Sequence, residues 1–259
     1  MKYGFIGCGN MGSAILRALC HNTRDIMISD RSGKAKALAE ELGVVYGDNN
    51  SIAAQCERIF IGVKPHMVAG CLTELKEILA ERKPLLISMA AGVELSRLTE
   101  LTGDLPLLRI MPNTPTAIGR GVIPYCGNAQ AQPYLADWLA DMKPCGLLDA
   151  LDESMMDAAS ALSGSGPAYC YILMEALADG AVACGLPRKK AMQYAAATLE
   201  GAAGMLLQSD THPGALKDAV CSPGGSTIAA LRVLEQRGFR SAAMDCIVAA
   251  WEKNKQLGK

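Results

Sequence analysis

Three glycines stand at 7, 9 and 12 in the stretch Phe5-Ile6-Gly7-Cys8-Gly9-Asn10-Met11-Gly12. A short apolar run, Tyr3 to Ile6, precedes them, and an amphipathic helical pattern from about Asn10 to His21 follows. A strand, a glycine turn and a helix in that order hold the pyrophosphate of a dinucleotide. Gly7 makes the tight turn, Gly9 lets backbone approach phosphate, and Gly12 lets the helix lie close to the strand. The helix start then offers unpaired N–H groups and a partial positive charge to the anion. Asp30 falls about 20 residues past this loop, where a carboxylate accepts from the ribose 2′-OH of NAD. Arg31, Ser32 and Lys34 suit instead the 2′-phosphate of NADP. The cations tilt the balance to NADPH, with NADH as the alternative. Asp30 reads equally well as a cap on the next helix.

Other segments offer less chemistry by themselves. Gly62-Val63-Lys64-Pro65 and Met89-Ala90-Ala91-Gly92 lie at carboxyl ends of expected strands, the edge where doubly wound sheets bind ligands. Small residues there leave room for a nicotinamide ribose, although each segment also reads as plain strand-to-loop punctuation. Two prolines stiffen Met111-Pro112-Asn113-Thr114-Pro115, which reads as a structural loop. The most unusual segment runs from Leu216 to Thr227 and contains Ser222-Pro223-Gly224-Gly225-Ser226-Thr227. A Gly-Gly turn at a helix start presents several N–H groups, and such a nest binds a carboxylate or phosphate. Thr227 adds a hydroxyl. Ser226 and Thr227 also read as helix caps.

The elements that must position these residues change style along the chain. Strands are expected at 25–30, 44–45, 58–63, 85–89 and 107–110, with helices at 33–42, 67–81 and 94–101 between them. Further strands at 121–126 and 145–149 flank a helix at 130–142. This alternation predicts an α/β fold with a Rossmann-like, doubly wound, mostly parallel sheet. After about residue 152 only Ala-, Leu- and Met-rich helical runs follow, near 153–161, 166–184, 188–208, 213–220, 226–236 and 239–257. We therefore expect a dinucleotide-binding domain over 1–152 and an all-helical domain over 153–259 for substrate binding and dimerisation. Many side chains of the helical half are small, Ala195 to Ala197 and Gly201 to Gly204 among them, so its helices have little apolar area of their own. A second copy of the chain is the expected partner.

Bulk properties narrow the function. Half of the 259 residues are hydrophobic and the formal net charge is -1. No long basic run argues for nucleic acid, and no apolar stretch approaches the roughly 20 residues of a membrane span. The N-terminal apolar run is too short for a signal peptide. The 10 cysteines form no C-x-x-C pair, which points to a reduced, cytoplasmic protein. The 3 histidines, at 21, 66 and 212, are far apart and fit no metal-ligand spacing, so no metal is expected.

Taken in order, Phe5 to Gly12, Val63-Lys64-Pro65, Ala90-Ala91-Gly92, Met111 to Pro115, Ser163-Gly164-Ser165-Gly166-Pro167-Ala168-Tyr169, His212-Pro213-Gly214 and Ser222 to Ile228 resemble pyrroline-5-carboxylate reductase across nearly the whole chain. The resemblance implies hydride transfer from NAD(P)H to Δ1-pyrroline-5-carboxylate, giving L-proline, the last step of proline synthesis. It implies that Gly7, Cys8, Gly9, Asn10, Met11, Asn49, Val63, Lys64, Pro65, Ala90, Ala91 and Gly92 line the cofactor, joining Gly12, Asp30, Arg31 and Ser32. It implies that Glu153, Ser226 and Thr227 meet the substrate, with the Gly224 and Gly225 amides beside them and Thr227 assisting orientation or proton delivery. Ala219 departs from the family, some of whose members carry an asparagine that touches the cofactor. The resemblance also implies a homodimer, which in family members often assembles into larger rings. Two alternatives remain: a β-hydroxyacid-type dehydrogenase, for which Lys189 and Lys190 lie poorly at a helix start, and a dinucleotide-binding scaffold without turnover.

Overall fold

The computed structural model describes residues 1–31 and 33–257. Ser32, expected at the adenosine ribose, lies outside the described residues. The chain forms two compact units, one of Met1–Ser165 with Ala250–Lys259 and the other of Gly166–Ala249. Composition changes at 152/153, but compactness breaks at 165/166. The reason is local: Met156 is fully buried in a small cluster with Met111 and Cys126, so the segment after 152 packs on the sheet.

In the first unit the order is β1 (Tyr3–Ile6), α1 (Asn10–Leu19), β2 (Ile26–Ser29), α2 (Lys34–Leu42), β3 (Val45–Tyr46), α3 (Asn49–Gln55), β4 (Arg58–Ile61), α4 (Pro65–Arg82), β5 (Leu85–Ser88), α5 (Leu95–Thr102) and β6 (Leu107–Ile110). Then come β7 (Gly121–Gly127), α6 (Gln132–Met142), β8 (Gly146–Ala150) and α7 (Met156–Ala159). The strands form one sheet in the order β3-β2-β1-β4-β5-β6-β7-β8. Neighbours are parallel except β6 and β7, which are antiparallel. The chain moves outward from β1 to β3, then returns to place β4 on the other side of β1. This reversal makes a crevice at the carboxyl ends of β1 and β4. The five strands β1, β2, β4, β5 and β6 are buried along their whole length, as helices on both faces require.

α3 is absent from the sequence expectations. Its seven residues, Asn-Asn-Ser-Ile-Ala-Ala-Gln, hold too few apolar positions to show a period. The legible signal is its cap: the Asp48 carboxylate accepts the Ser51 N–H.

The second unit contains α8 (Gly166–Ala183), α9 (Arg188–Leu207), α10 (Pro213–Ala219), α11 (Ser226–Gln236) and most of α12 (Phe239–Leu257). α8 and α9 pack through Ala178, Ala191 and Ala195. The turn between them follows the expected Gly-Leu-Pro punctuation. Gly185 takes φ +94°, the Leu186 N–H reaches Ala181 O at 3.0 Å, and Leu186 packs back on the pair. Among the described residues, no helix is long and apolar enough to cross a membrane.

Candidate active site

The crevice holds a cavity of about 570 Å³, walled by the glycine loop, the end of β2 and the loop after β4. Gly7 has φ +95°, and a Cβ there would stand 2.8 Å from the Gly62 carbonyl carbon. An L side chain at this position would meet backbone strain and a backbone clash together. Gly12 needs its missing Cβ for a different reason: the atom would lie 2.7 Å from Gly7 O, so α1 could not approach β1. A Cβ on Gly9 meets nothing within 4 Å, because Gly9 faces the open cavity. Gly9 is also the N-cap of α1 and makes no side-chain cap bond, which leaves the first N–H groups of the helix to a ligand. Gly7 and Gly12 therefore take the steric roles expected of them, and Gly9 faces open space.

Cys8, Asn10, Asp30, Arg31, Asn49, Val63 and Lys64 also wall the cavity. Asn49 begins α3, and its Oδ1 accepts the buried Ser29 hydroxyl at 2.6 Å, which fixes the amide beside β2. Burial, with a smaller contribution from the Asp30 charge, pushes the Cys8 thiol up to about 12. It stays neutral and is a poor nucleophile. Arg31 Nη2 stands 3.7 Å from Glu74 Oε1, both largely exposed. Met11, Gly12, Pro65 and the Ala90 to Gly92 turn are not among the walls. Pro65 is the first residue of α4, with Lys64 as its N-cap.

Ser13, Arg17 and Met67 wall the cavity without having been expected. A signal existed, since Asn10, Ser13 and Arg17 fall at i, i+3 and i+7 on one face of α1. The Arg17 guanidinium forms two bonds with the Glu41 carboxylate, at 2.5 and 2.9 Å.

Two loops behave structurally. Asn113 is 6 % exposed. Its amide donates to Ser163 O at 2.9 Å, and its Oδ1 accepts the Val122 N–H at 2.9 Å. The Met111 to Pro115 loop is thus held by a buried side chain bonded on both its nitrogen and its oxygen to backbone. Glu153 Oε1 accepts the Leu95 N–H at 2.7 Å and Arg109 Nη1 at 3.0 Å.

In the second unit, Ser222-Pro223-Gly224-Gly225 forms a turn closed by the Gly225 N–H on Ser222 O at 3.0 Å. Gly224 takes φ +69°, the conformation a proline-led turn requires at its third residue. Gly225, not Ser226 or Thr227, is the N-cap of α11, and it makes no side-chain cap bond. The cap expected of those two hydroxyls does not form because they already lie inside the helix. The first turn of α11 thus begins without a side-chain cap bond. Gly224 and Gly225 wall a groove of about 520 Å³ with Lys217, Ile228, Arg232 and Glu235. Among the described residues, no cluster of three His, Cys, Asp or Glu side chains is arranged to hold a metal ion.

Comparison with known proteins decides the family. The chain is 39 % identical over 266 aligned residues to the pyrroline-5-carboxylate reductase of Escherichia coli strain K12, covering 100 % of this chain and 98 % of the relative. The chain belongs to the pyrroline-5-carboxylate reductase family. The enzyme of Arabidopsis thaliana is 37 % identical, with 100 % and 96 % of the two chains covered. The Plasmodium falciparum reductase, solved with NADP bound, superposes with a TM-score of 0.90 at 32 % identity over 100 % of both chains. The family model for pyrroline-5-carboxylate reductase dimerisation matches residues 153–257. A second model, described as NADP oxidoreductase coenzyme F420-dependent, matches residues 2–92. The 3-hydroxyisobutyrate dehydrogenase of Mycobacterium tuberculosis is similar in fold alone, with a TM-score of 0.52 at 16 % identity over 68 % of this chain and 63 % of that one.

Proposed function

We propose that this reductase converts Δ1-pyrroline-5-carboxylate to L-proline with NADPH. The observation that carries the proposal is the first turn of α11, which has no side-chain cap and follows a glycine turn. One helix start favours an anion by only about 0.3–2 kcal/mol, too little to bind a small acid by itself. Its value is orientation. The Gly224 to Thr227 amides hold the substrate carboxylate at a fixed angle, which limits the orientations open to the ring. The glycine loop fits the pyrophosphate because Gly9 opens on the cavity and the α1 start is uncapped. Arg31 and Lys34 wall the ribose end and suit a 2′-phosphate better than a hydroxyl.

NADPH supplies the hydride, delivered to the C=N carbon of the cyclic imine, C2 of the pyrroline and C5 of the proline formed. The protonated imine is already an electrophile, so the protein needs no strong acid. Thr227 hydrogen-bonds near the ring nitrogen or the nicotinamide amide and assists orientation or proton delivery. Glu153 faces the substrate with the edge not bound to Leu95 and Arg109. Met11, Pro65 and Ala90 to Gly92 complete the nicotinamide side of the cofactor site. The working form is a homodimer joined through the helical unit, and its dimers assemble into a ring. The ten thiols, none of them in a disulfide, suit the cytoplasm.

A steady-state assay with pyrroline-5-carboxylate and each reduced cofactor tests the proposal. Substrate-dependent NADPH oxidation, faster than with NADH, is expected. NADPH binding without oxidation would leave a scaffold, and turnover of hydroxy acids alone would leave a dehydrogenase of another class. Lys189 and Lys190 do not favour the latter, since both are exposed in the first turn of α9. In stopped-flow and binding measurements, Thr227→Ala lowers turnover about a hundredfold while NADPH affinity is retained.

A further inference from the structure

Arg109 is a buried cation on β6, its side chain 3 % exposed. Nη1 donates to Glu153 Oε1 at 3.0 Å, and Nη2 donates to Asp157 Oδ1 at 3.4 Å. Nε is buried without a hydrogen-bond partner. Glu153 Oε1 accepts a second donor, the Leu95 N–H at 2.7 Å. Leu95 opens α5, and the N-cap residue Glu94 makes no side-chain cap bond there. A carboxylate distant in sequence therefore replaces the local cap. One oxygen ties together the end of β6, the start of α5 and the turn at residues 153–155.

A stability role explains this arrangement poorly. Burying a guanidinium costs desolvation that its ion pairs only partly repay, and an unsatisfied Nε adds to that cost. An apolar residue of similar volume would pack β6 as well or better. What it could not do is hold Glu153 in one orientation. A guanidinium fork spans two carboxylates at fixed angles, and an ammonium does not. The cluster also holds two carboxylates against one cation, an excess of the sign that steadies a protonated imine.

We infer that Arg109 is a positioning residue of the reduction: it locks the Glu153 carboxylate toward the substrate and ties it to the segment that follows the Ala90 to Gly92 turn. The inference rests on the proposed reductase activity and on Glu153 facing substrate. Thermal melting and NADPH titration first establish that each variant is folded and binds cofactor. Kinetics with pyrroline-5-carboxylate then compare Arg109→Met, Arg109→Lys, Glu153→Gln and Arg109→Met with Glu153→Gln. Arg109→Met lowers kcat/KM about a hundredfold, with NADPH affinity held within about twofold, as expected for a misplaced group. Arg109→Lys falls between Arg109→Met and the native enzyme. The double variant is no worse than Glu153→Gln alone, because Arg109 acts through Glu153.

Multiplying effects in the double variant, or NADPH affinity falling in step with turnover, would overturn the inference. Should Arg109→Met not fold, a folded Arg109→Lys with native kcat/KM would overturn it equally. A native enzyme with no substrate-dependent NADPH oxidation sinks the reductase proposal and the inference with it. An active native enzyme with unimpaired Arg109 variants sinks the inference alone.

Discussion

Tyr3, Phe5, Phe60 and Trp138 are fully enclosed in the sheet unit, whereas the buried apolar residues of the helical unit are Ala178, Ala191 and Ala195. There Ile172, Met205, Leu207 and Met244 are 69, 63, 84 and 68 % exposed. Covering a large apolar side chain yields about 1.5–3 kcal/mol, and an alanine methyl far less. The sheet unit therefore carries its own core, while the helical unit leaves large apolar side chains uncovered within one chain. The same contrast appears at the two uncapped helix starts. The α1 start is set in a cavity between strands, and the α11 start in an open groove between short helices.

Four measurements sharpen or break this contrast. The largest effect is expected at Trp138, which packs edge-on against Tyr125 with ring centroids 5.2 Å apart. Trp138→Ala should cost about 3–5 kcal/mol in urea unfolding, independent of protein concentration. A concentration-dependent loss would mean that the sheet unit also leans on a partner. Gly12→Ala comes next. Overpacking against Gly7 O costs about 1–3 kcal/mol and outweighs the roughly 1 kcal/mol that alanine returns in a helix. Isothermal titration should show NADPH affinity falling with stability, and an unchanged affinity would separate α1 packing from the cofactor site.

Leu207→Asp is a smaller change for the chain and a telling one for the assembly. A lone exposed position tolerates substitution within about 0.5 kcal/mol. If a second copy covers it, the dimer dissociation constant rises about tenfold or more, a shift of 1.4 kcal/mol, which analytical ultracentrifugation reads directly. The smallest effect belongs to Asp48→Ala at the cap of α3. Bonds from Ser51, backbone first, hold the Asp48 carboxyl below its ordinary range. Its contribution is thus fully present above the ordinary carboxylate range and is lost as pH falls through the lowered value. Melting curves of Asp48→Ala and the native chain should differ slightly at pH 7 and converge in strong acid.

Much of the fold is legible because its causes are local. Gly7, Gly9 and Gly12 act through steric contacts of one turn, and Gly185 with Pro187 ends one helix and starts the next by backbone conformation alone. β6 was expected at 107–110 and lies there, since an apolar run between breakers has few other solutions. Less was legible where a short polar segment gains its structure from a cap, as in α3. Chain packing also moved a boundary: α12 begins in the helical unit, yet its Asn254 donates to Asp157 O at 3.1 Å in the sheet unit.

By itself the sequence determined the dinucleotide loop, the change from alternating elements to helices, and the glycine turn before α11. Each depends on residues within a few positions of one another, where sterics and periodicity act without a folded context. Tertiary structure alone decided the strand order, the antiparallel β7, the cap of α11 at Gly225 and the Arg109–Glu153–Asp157 cluster. Arg109 and Glu153 are 44 residues apart. Nothing in their local sequence announces the pair, because Arg109 meets its carboxylate only once the sheet has buried the guanidinium.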